Sequence, residues 1–201
     1  MKTPSRQQLL DIAYQHYARD VFYDDPAYMD TPEYRRLTAA WDQALEHRET
    51  WDRFMDAVAE RLGRSVRLTD VTMPWHGGGW RLAVYLDGGL ATYASIERAT
   101  RDVLVACVSV IAPLYLIHGV QVDIEKGRQS LDNREVYENF TPRMQAHLPA
   151  LTEEIKRVFG YAPVSMDDAL AVVPDISIDP HGFGQMRLIH ALFASFPENI
   201  F

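Results

Sequence analysis

The strongest constraint in this sequence lies near its centre. Residues 103–111 are almost continuously apolar and rich in β-branched side chains. A short run of that kind predicts a central strand covered on both faces. Pro113 interrupts it. In the next segment Leu116, His118, Val120, Val122 and Ile124 share one face, and Tyr115, Ile117, Gly119, Gln121 and Asp123 share the other. Upstream, Leu82, Val84 and Leu86 alternate with Arg81, Ala83, Tyr85 and Asp87, and Gly88-Gly89 supplies a turn signal. Residues 169–173 predict a further strand. The polar stretch 125–139 predicts a long loop or a partly helical connection.

Helical periodicity flanks this strand region. Three Thr-Pro pairs, Thr3-Pro4, Thr31-Pro32 and Thr141-Pro142, each precede an amphipathic stripe. Threonine can accept a bond from an orphan N–H of the first turn, and proline at the next position has no N–H to leave unpaired. The first stripe is Leu10, Tyr14, Tyr17 and Val21. The second is Tyr34, Leu37, Trp41, Ala44 and Leu45, and the third Met144, Leu148, Leu151, Ile155 and Val158. Gly160 suits a left-handed cap after the third. Trp51, Phe54, Val58 and Leu62 predict a further helix over 50–62, ending at Gly63 and either continuous with its predecessor or broken near His47. Residues 184–196 predict a last short helix. Helices first, then a strand meander, then mixed elements argue for α+β: N-terminal helices, a central mainly antiparallel sheet, and C-terminal helices packed on it. With 201 residues and no linker, one domain over 1–201 is expected.

Charge narrows the partners. The net charge of −8 opposes duplex nucleic acid, which needs a positive surface to displace counterions, and fits a basic partner protein. The lone Cys107 cannot form an internal disulfide and sits in an apolar run, so it reads as a buried, inert thiol. The opening residues 1–8 lack the apolar stretch of a signal peptide, and the longest apolar run, 103–117, is short of a membrane span. These features predict a cytoplasmic protein without a membrane anchor.

No motif points to chemistry. Trp75-His76-Gly77-Gly78-Gly79-Trp80 has the glycine run of an oxyanion hole, but no serine occupies the Gly-x-Ser-x-Gly turn that would accompany it. The plainer reading is a flexible turn flanked by packed tryptophans, and a third is a contact loop. The seven histidines show no ligand spacing, so no metal or other cofactor is expected. Residues 175–186 begin with calcium-loop oxygen alternation, but Pro180 stands where glycine is needed and Met186 where glutamate is needed. Asp175 and Asp179 are expected to make turns instead. The carboxylates Asp20, Asp24, Asp25 and Asp30 crowd a segment with Phe22, Tyr23, Tyr28 and Met29. The plain reading is a solvated loop. The functional one is an acidic, aromatic contact surface made of Asp20, Tyr23, Asp24, Asp25, Tyr28 and Asp30, joined by Trp75 and Trp80.

A resemblance adds to this. Phe159-Gly160-Tyr161-Ala162-Pro163, Val172-Val173-Pro174-Asp175-Ile176, Gly184 with Leu188-Ile189-His190-Ala191-Leu192-Phe193, and the central residues 108–115 together resemble immunity proteins of bacterial polymorphic-toxin and contact-dependent competition systems. The resemblance implies a small cytoplasmic protein that neutralises a cognate toxin by binding it. Two alternatives stay open: an enzyme with a scattered site, and a structural or adaptor protein forming a homo-oligomer through its aromatic helices.

Overall fold

The apolar centre of the sequence folds as the middle of a six-stranded sheet. The computed structural model describes residues 3–87, 97–125, 128–197 and 200, so the Gly88-Gly89 turn lies outside the described residues. Strands β1 (Arg67–Asp70), β2 (Gly79–Tyr85), β3 (Arg98–Ser109), β4 (Leu114–Glu125) and β5 (Arg128–Val136) form an antiparallel meander in the order β1-β2-β3-β4-β5. The short β6 (Ala162–Pro163) adds to the start of β4 in parallel. The helices are α1 (Arg6–His16), α2 (Pro32–Glu46), α3 (Arg48–Leu62), α4 (Pro142–Phe159), α5 (Met166–Ala169) and α6 (Leu188–Leu192). The fold is α+β, with helices on either side of the meander in sequence.

Register explains why residues 103–108 are apolar at every position. Leu82 pairs with Ala106, and Ala106 with Ile117; Ala83 pairs with Val105, and Val105 with His118. Successive side chains point to opposite faces, and both faces are buried here. One face carries Trp80, Leu82 and Gly119. Helices α2, α3 and α4 cover it: Trp41 and Trp51 meet Trp80, and a side chain at Gly119 would strike the Met144 sulfur at 2.9 Å. The other face carries Gly79 and Tyr85. It meets Phe193 just after α6, and the Tyr85 hydroxyl donates to the Ile200 carbonyl at 2.7 Å. That second face holds a buried ion pair, Arg101 Nε to Asp87 at 2.8 Å, with the guanidinium 4.1 Å over the Tyr85 ring.

Helix boundaries follow local hydrogen bonding. Thr31 and Thr141 cap α2 and α4 as expected, each accepting from the third residue onward. The first helix departs from expectation. Ser5 is its cap rather than Thr3, because Ser5 and Gln8 form a reciprocal capping box that satisfies two backbone donors at once. Its buried residues are Leu9 and Ala13, and the chain leaves the helix at Tyr17. His47 breaks α2 from α3. Three further expectations are corrected. Residues 125–139 are not a loop: most of them form β5, an edge strand whose charged sequence suits an exposed edge. Residues 169–173 contribute the end of α5 and an isolated bridge from Val172 to Arg187 instead of a strand. Residues 184–196 shrink to the five-residue α6. Among the described residues no helix is long and apolar enough to cross a membrane.

Candidate functional site

Between α1 and α2 the chain runs without a lysine or arginine from Asp20 to Tyr34. It is fastened to the C-terminal part of the protein at four points. The Tyr17 hydroxyl donates to the Ala191 carbonyl at 2.8 Å, Arg19 bridges Ile176, Asp20 N–H donates to Asp175 O at 2.9 Å, and Tyr23 N–H donates to Ser177 Oγ at 3.3 Å. Phe22 rests edge-on against Phe183, with ring centres 5.6 Å apart. Tyr28 sits in a 3-10 turn and meets Tyr34 edge-on at 5.6 Å.

A second segment reaches the same place. The turn before β2 carries Trp75, whose backbone φ of +67° is a left-handed conformation that a bulky side chain rarely adopts. Nothing in the interior draws the ring inward, since Trp75 is 52% exposed. The glycines that follow hold this turn down. A Cβ at Gly78 would lie 2.5 Å from the Ala191 carbonyl oxygen, and one at Gly77 2.7 Å from Ala194 Cα. The Trp41 indole N–H donates to Gly77 O at 2.8 Å, and Ser109 Oγ donates to Gly78 O at 3.1 Å. The glycine run is therefore a seat sealed against backbone, not a flexible turn. Ser109 thus uses its hydroxyl proton on that seat.

These segments enclose a groove of about 210 Å³. Tyr23, Tyr28, Met29, Tyr34 and Trp75 line it, with Asp179 beside them. Tyr28 is buried, with 6% exposure, and burial first, then the neighbouring Tyr34, raise its pKa, so its hydroxyl stays protonated. No hydrogen bond engages that hydroxyl among the described residues. Ser195 and His76 also line the groove. No hydrogen bond joins the side chains of Ser195, His76 and Asp179, so the lining contains no nucleophile held by a base.

The expected contact residues divide. Tyr23, Tyr28 and Trp75 come together in the groove. Asp20, Asp24, Asp25 and Asp30 are exposed on the adjoining chain. Asp25 accepts the Ala27 N–H at 2.8 Å, and Asp30 has one loose, exposed partner, Arg35 at 3.7 Å. Asp20, Asp24 and Asp25 form no ion pair among the described residues. Trp80 does not belong to this surface. It is 5% exposed, stacks on Trp51 at 5.6 Å and meets Trp41 edge-on at 5.4 Å. Its even position in β2, shared with Leu82 and Val84, already put it on a core face. Tyr28 is a floor rather than a projecting anchor. Tyr34 and Asp179 were not expected there, because Asp179 comes from a segment remote in sequence and neither shares the local pattern of the acidic segment.

A larger groove of about 350 Å³ lies between α2, α3 and the end of β3, lined by Trp51, Trp80, His47 and Ser109 among others. No carboxylate lines it. Among the described residues no group of three or more histidines, cysteines and carboxylates is placed to hold a metal ion. Elsewhere, His181 and His190 stack with ring centres 4.0 Å apart. His181 Nε2–H donates to Ser195 O at 2.6 Å, and His190 Nδ1 accepts the Arg187 N–H at 3.2 Å, so both rings are structural fasteners. Burial, with His181 and Arg187 adding to it, lowers the His190 pKa to about 3. Burial raises the Cys107 pKa to about 12, which leaves the thiol un-ionised and unreactive. The aromatic rings Trp41 of α2 and Trp51 and Phe54 of α3 are buried in the core. Comparison with protein-family models, with curated proteins and with solved structures finds no match.

Proposed function

We propose that this chain is a cytoplasmic immunity protein that binds and neutralises a cognate bacterial toxin without turning it over. One observation carries the reading: Trp75 is held half exposed in a left-handed conformation on the rim of an aromatic groove. Such a backbone costs about 1–2 kcal/mol and persists where the surroundings enforce it. A large ring displayed at that cost, near Asp20, Asp24 and Asp25, which form no ion pair among the described residues, suits an anchor awaiting a partner. The −8 net charge supports a basic partner and disfavours nucleic acid. The resemblance of residues 108–115 and of the C-terminal third to immunity proteins points the same way.

The test is co-expression of this chain with the product of the adjacent gene, scored for rescue of growth and followed by measurement of binding between the purified pair. Tight binding with rescue is the expected outcome. Failure to bind or protect against any neighbouring gene product would remove the reading.

A further inference from the structure

The groove beneath Trp75 has a chemistry more specific than a generic contact surface. We infer that it receives an arginine side chain presented by a basic protein partner; this rests on the binding reading above and names what that partner inserts.

Size is the first reason. At about 210 Å³ the groove is smaller than the roughly 300–1,000 Å³ usual for small-molecule sites, and it suits one long side chain. Lining is the second. Tyr23, Tyr34 and Trp75 offer aromatic rings, and a cation over such a ring is attracted by its quadrupole. Met29 and Ile178 give apolar surface for an aliphatic stem. Guanidinium fits better than ammonium because it is planar, weakly hydrated and stacks on rings. The protein already uses that contact elsewhere: Arg19 lies 4.7 Å over Tyr14 and Arg48 5.5 Å over Trp80.

Charge is the third reason. Asp179 lines the groove and forms no ion pair among the described residues. No lysine or arginine lines the groove to answer it. Of the arginines that flank this segment in sequence, Arg19 pairs with Asp175 at 2.6 Å, Arg36 with Glu33 at 2.9 Å, and Arg35 reaches only Asp30, at 3.7 Å. Asp20, Asp24 and Asp25 add negative potential without counter-ions of their own. Finally, the Tyr28 hydroxyl, free of hydrogen bonds among the described residues, is available to a donor entering the groove that Tyr28 lines. A guanidinium presents five such donors.

The probe is a capped Gly-Arg-Gly peptide titrated into the full chain and followed by amide chemical shifts. Its citrulline counterpart, neutral but nearly the same shape, is the control. Shifts should concentrate at Tyr23, Met29, Trp75 and Gly77. Citrulline, or arginine with Asp179→Asn, should bind about tenfold more weakly. Equal binding of citrulline, or shifts scattered over the surface, would overturn the inference. A second arm asks whether Trp75→Ala and Asp179→Asn each lose growth rescue. Full rescue by both variants would overturn the inference while leaving the toxin reading intact. A groove that titrates arginine, in a chain that rescues nothing, would support the groove and sink the toxin reading.

Discussion

Two parts of this molecule are built mainly from aromatic side chains, and they behave differently. In the first, Trp41, Trp51, Trp80, Phe54 and Phe159 interlock between the sheet and its helices. Two of its three indole N–H groups are engaged: Trp41 Nε1 donates to Gly77 O at 2.8 Å, and Trp51 Nε1 to Asp70 at 3.2 Å. In the second, Tyr23, Tyr28, Tyr34 and Trp75 border an open groove. There the backbone is strained at Trp75, the Tyr28 hydroxyl is unbonded, and Asp20, Asp24, Asp25 and Asp179 form no ion pair among the described residues. Aromatic content is the same signal in both. What separates a packed core from a waiting surface is how far the polar groups near the rings already have partners.

Substitutions should sharpen that contrast. The largest effect is expected at Leu151→Asp, which places an unpaired charge under α4, where Leu151 is fully buried. It should cost about 5 kcal/mol, enough to unfold a domain of ordinary stability. An unchanged denaturant midpoint would show that this face of α4 is not core. Next come the two tryptophans that end one hexapeptide. Trp80→Ala should lose about 3–5 kcal/mol by leaving a cavity, whereas Trp75→Ala should change stability by less than about 1 kcal/mol and weaken partner binding instead. Equal losses of stability for the two would erase the distinction drawn above.

Titration gives a smaller, graded effect. Burial, then Arg81, lowers the His118 pKa to about 4, and that of His190 falls to about 3. Both lie below the unfolded value near 6.5, so the unfolded chain takes up protons first as the pH falls. Stability should be fully present above pH 6.5 and decline towards the folded values, by at most about 1.4 kcal/mol per pH unit for each histidine. Urea midpoints at pH 7, 6 and 5 measure the slope, and His118→Gln should flatten it. A slope that His118→Gln left unaltered would mean that His118 is not the group responsible. The smallest folding effect belongs to Asp24→Lys with Asp25→Lys, within about 0.5 kcal/mol of wild type because both residues are exposed. The same double reversal should slow association with a basic partner, and added salt should slow the wild type more than the variant. Association rates in a salt series decide it; unchanged kinetics would place the contact elsewhere.

The legible parts of this fold are those in which one local interaction dominates. Leu104, Val105, Ala106 and Cys107, apolar at every position, had to lie in a strand buried on both faces. Thr31 and Thr141 had to start helices, because each supplies both the cap and the following proline. Thr3 offered the same pair and lost to Ser5, whose partner Gln8 makes the bond reciprocal. Residues 128–136 escaped notice because an edge strand does not need the apolar alternation that identifies a half-buried one. For the groove, the acidic aromatic segment was visible, but its geometry was not. Tyr23 meets Trp75 and Asp179 only through long-range bonds such as Tyr23 N–H to Ser177 Oγ and Ser195 N–H to His76 O.

The seat formed by Gly77 and Gly78 has a consequence for anyone wishing to retarget this protein. It separates positions that can be randomised from positions that cannot. A library varied at Tyr23, Met29, Trp75 and Asp179 changes only the lining of an opening and should yield mostly folded clones with altered partner preference. A library two or three residues downstream of Trp75, at Gly77 and Gly78, would push side chains into the backbone of Ala194 and Ala191 and should yield almost none. The scaffold thus comes with its own boundary between a programmable rim and a fixed frame, only two residues wide.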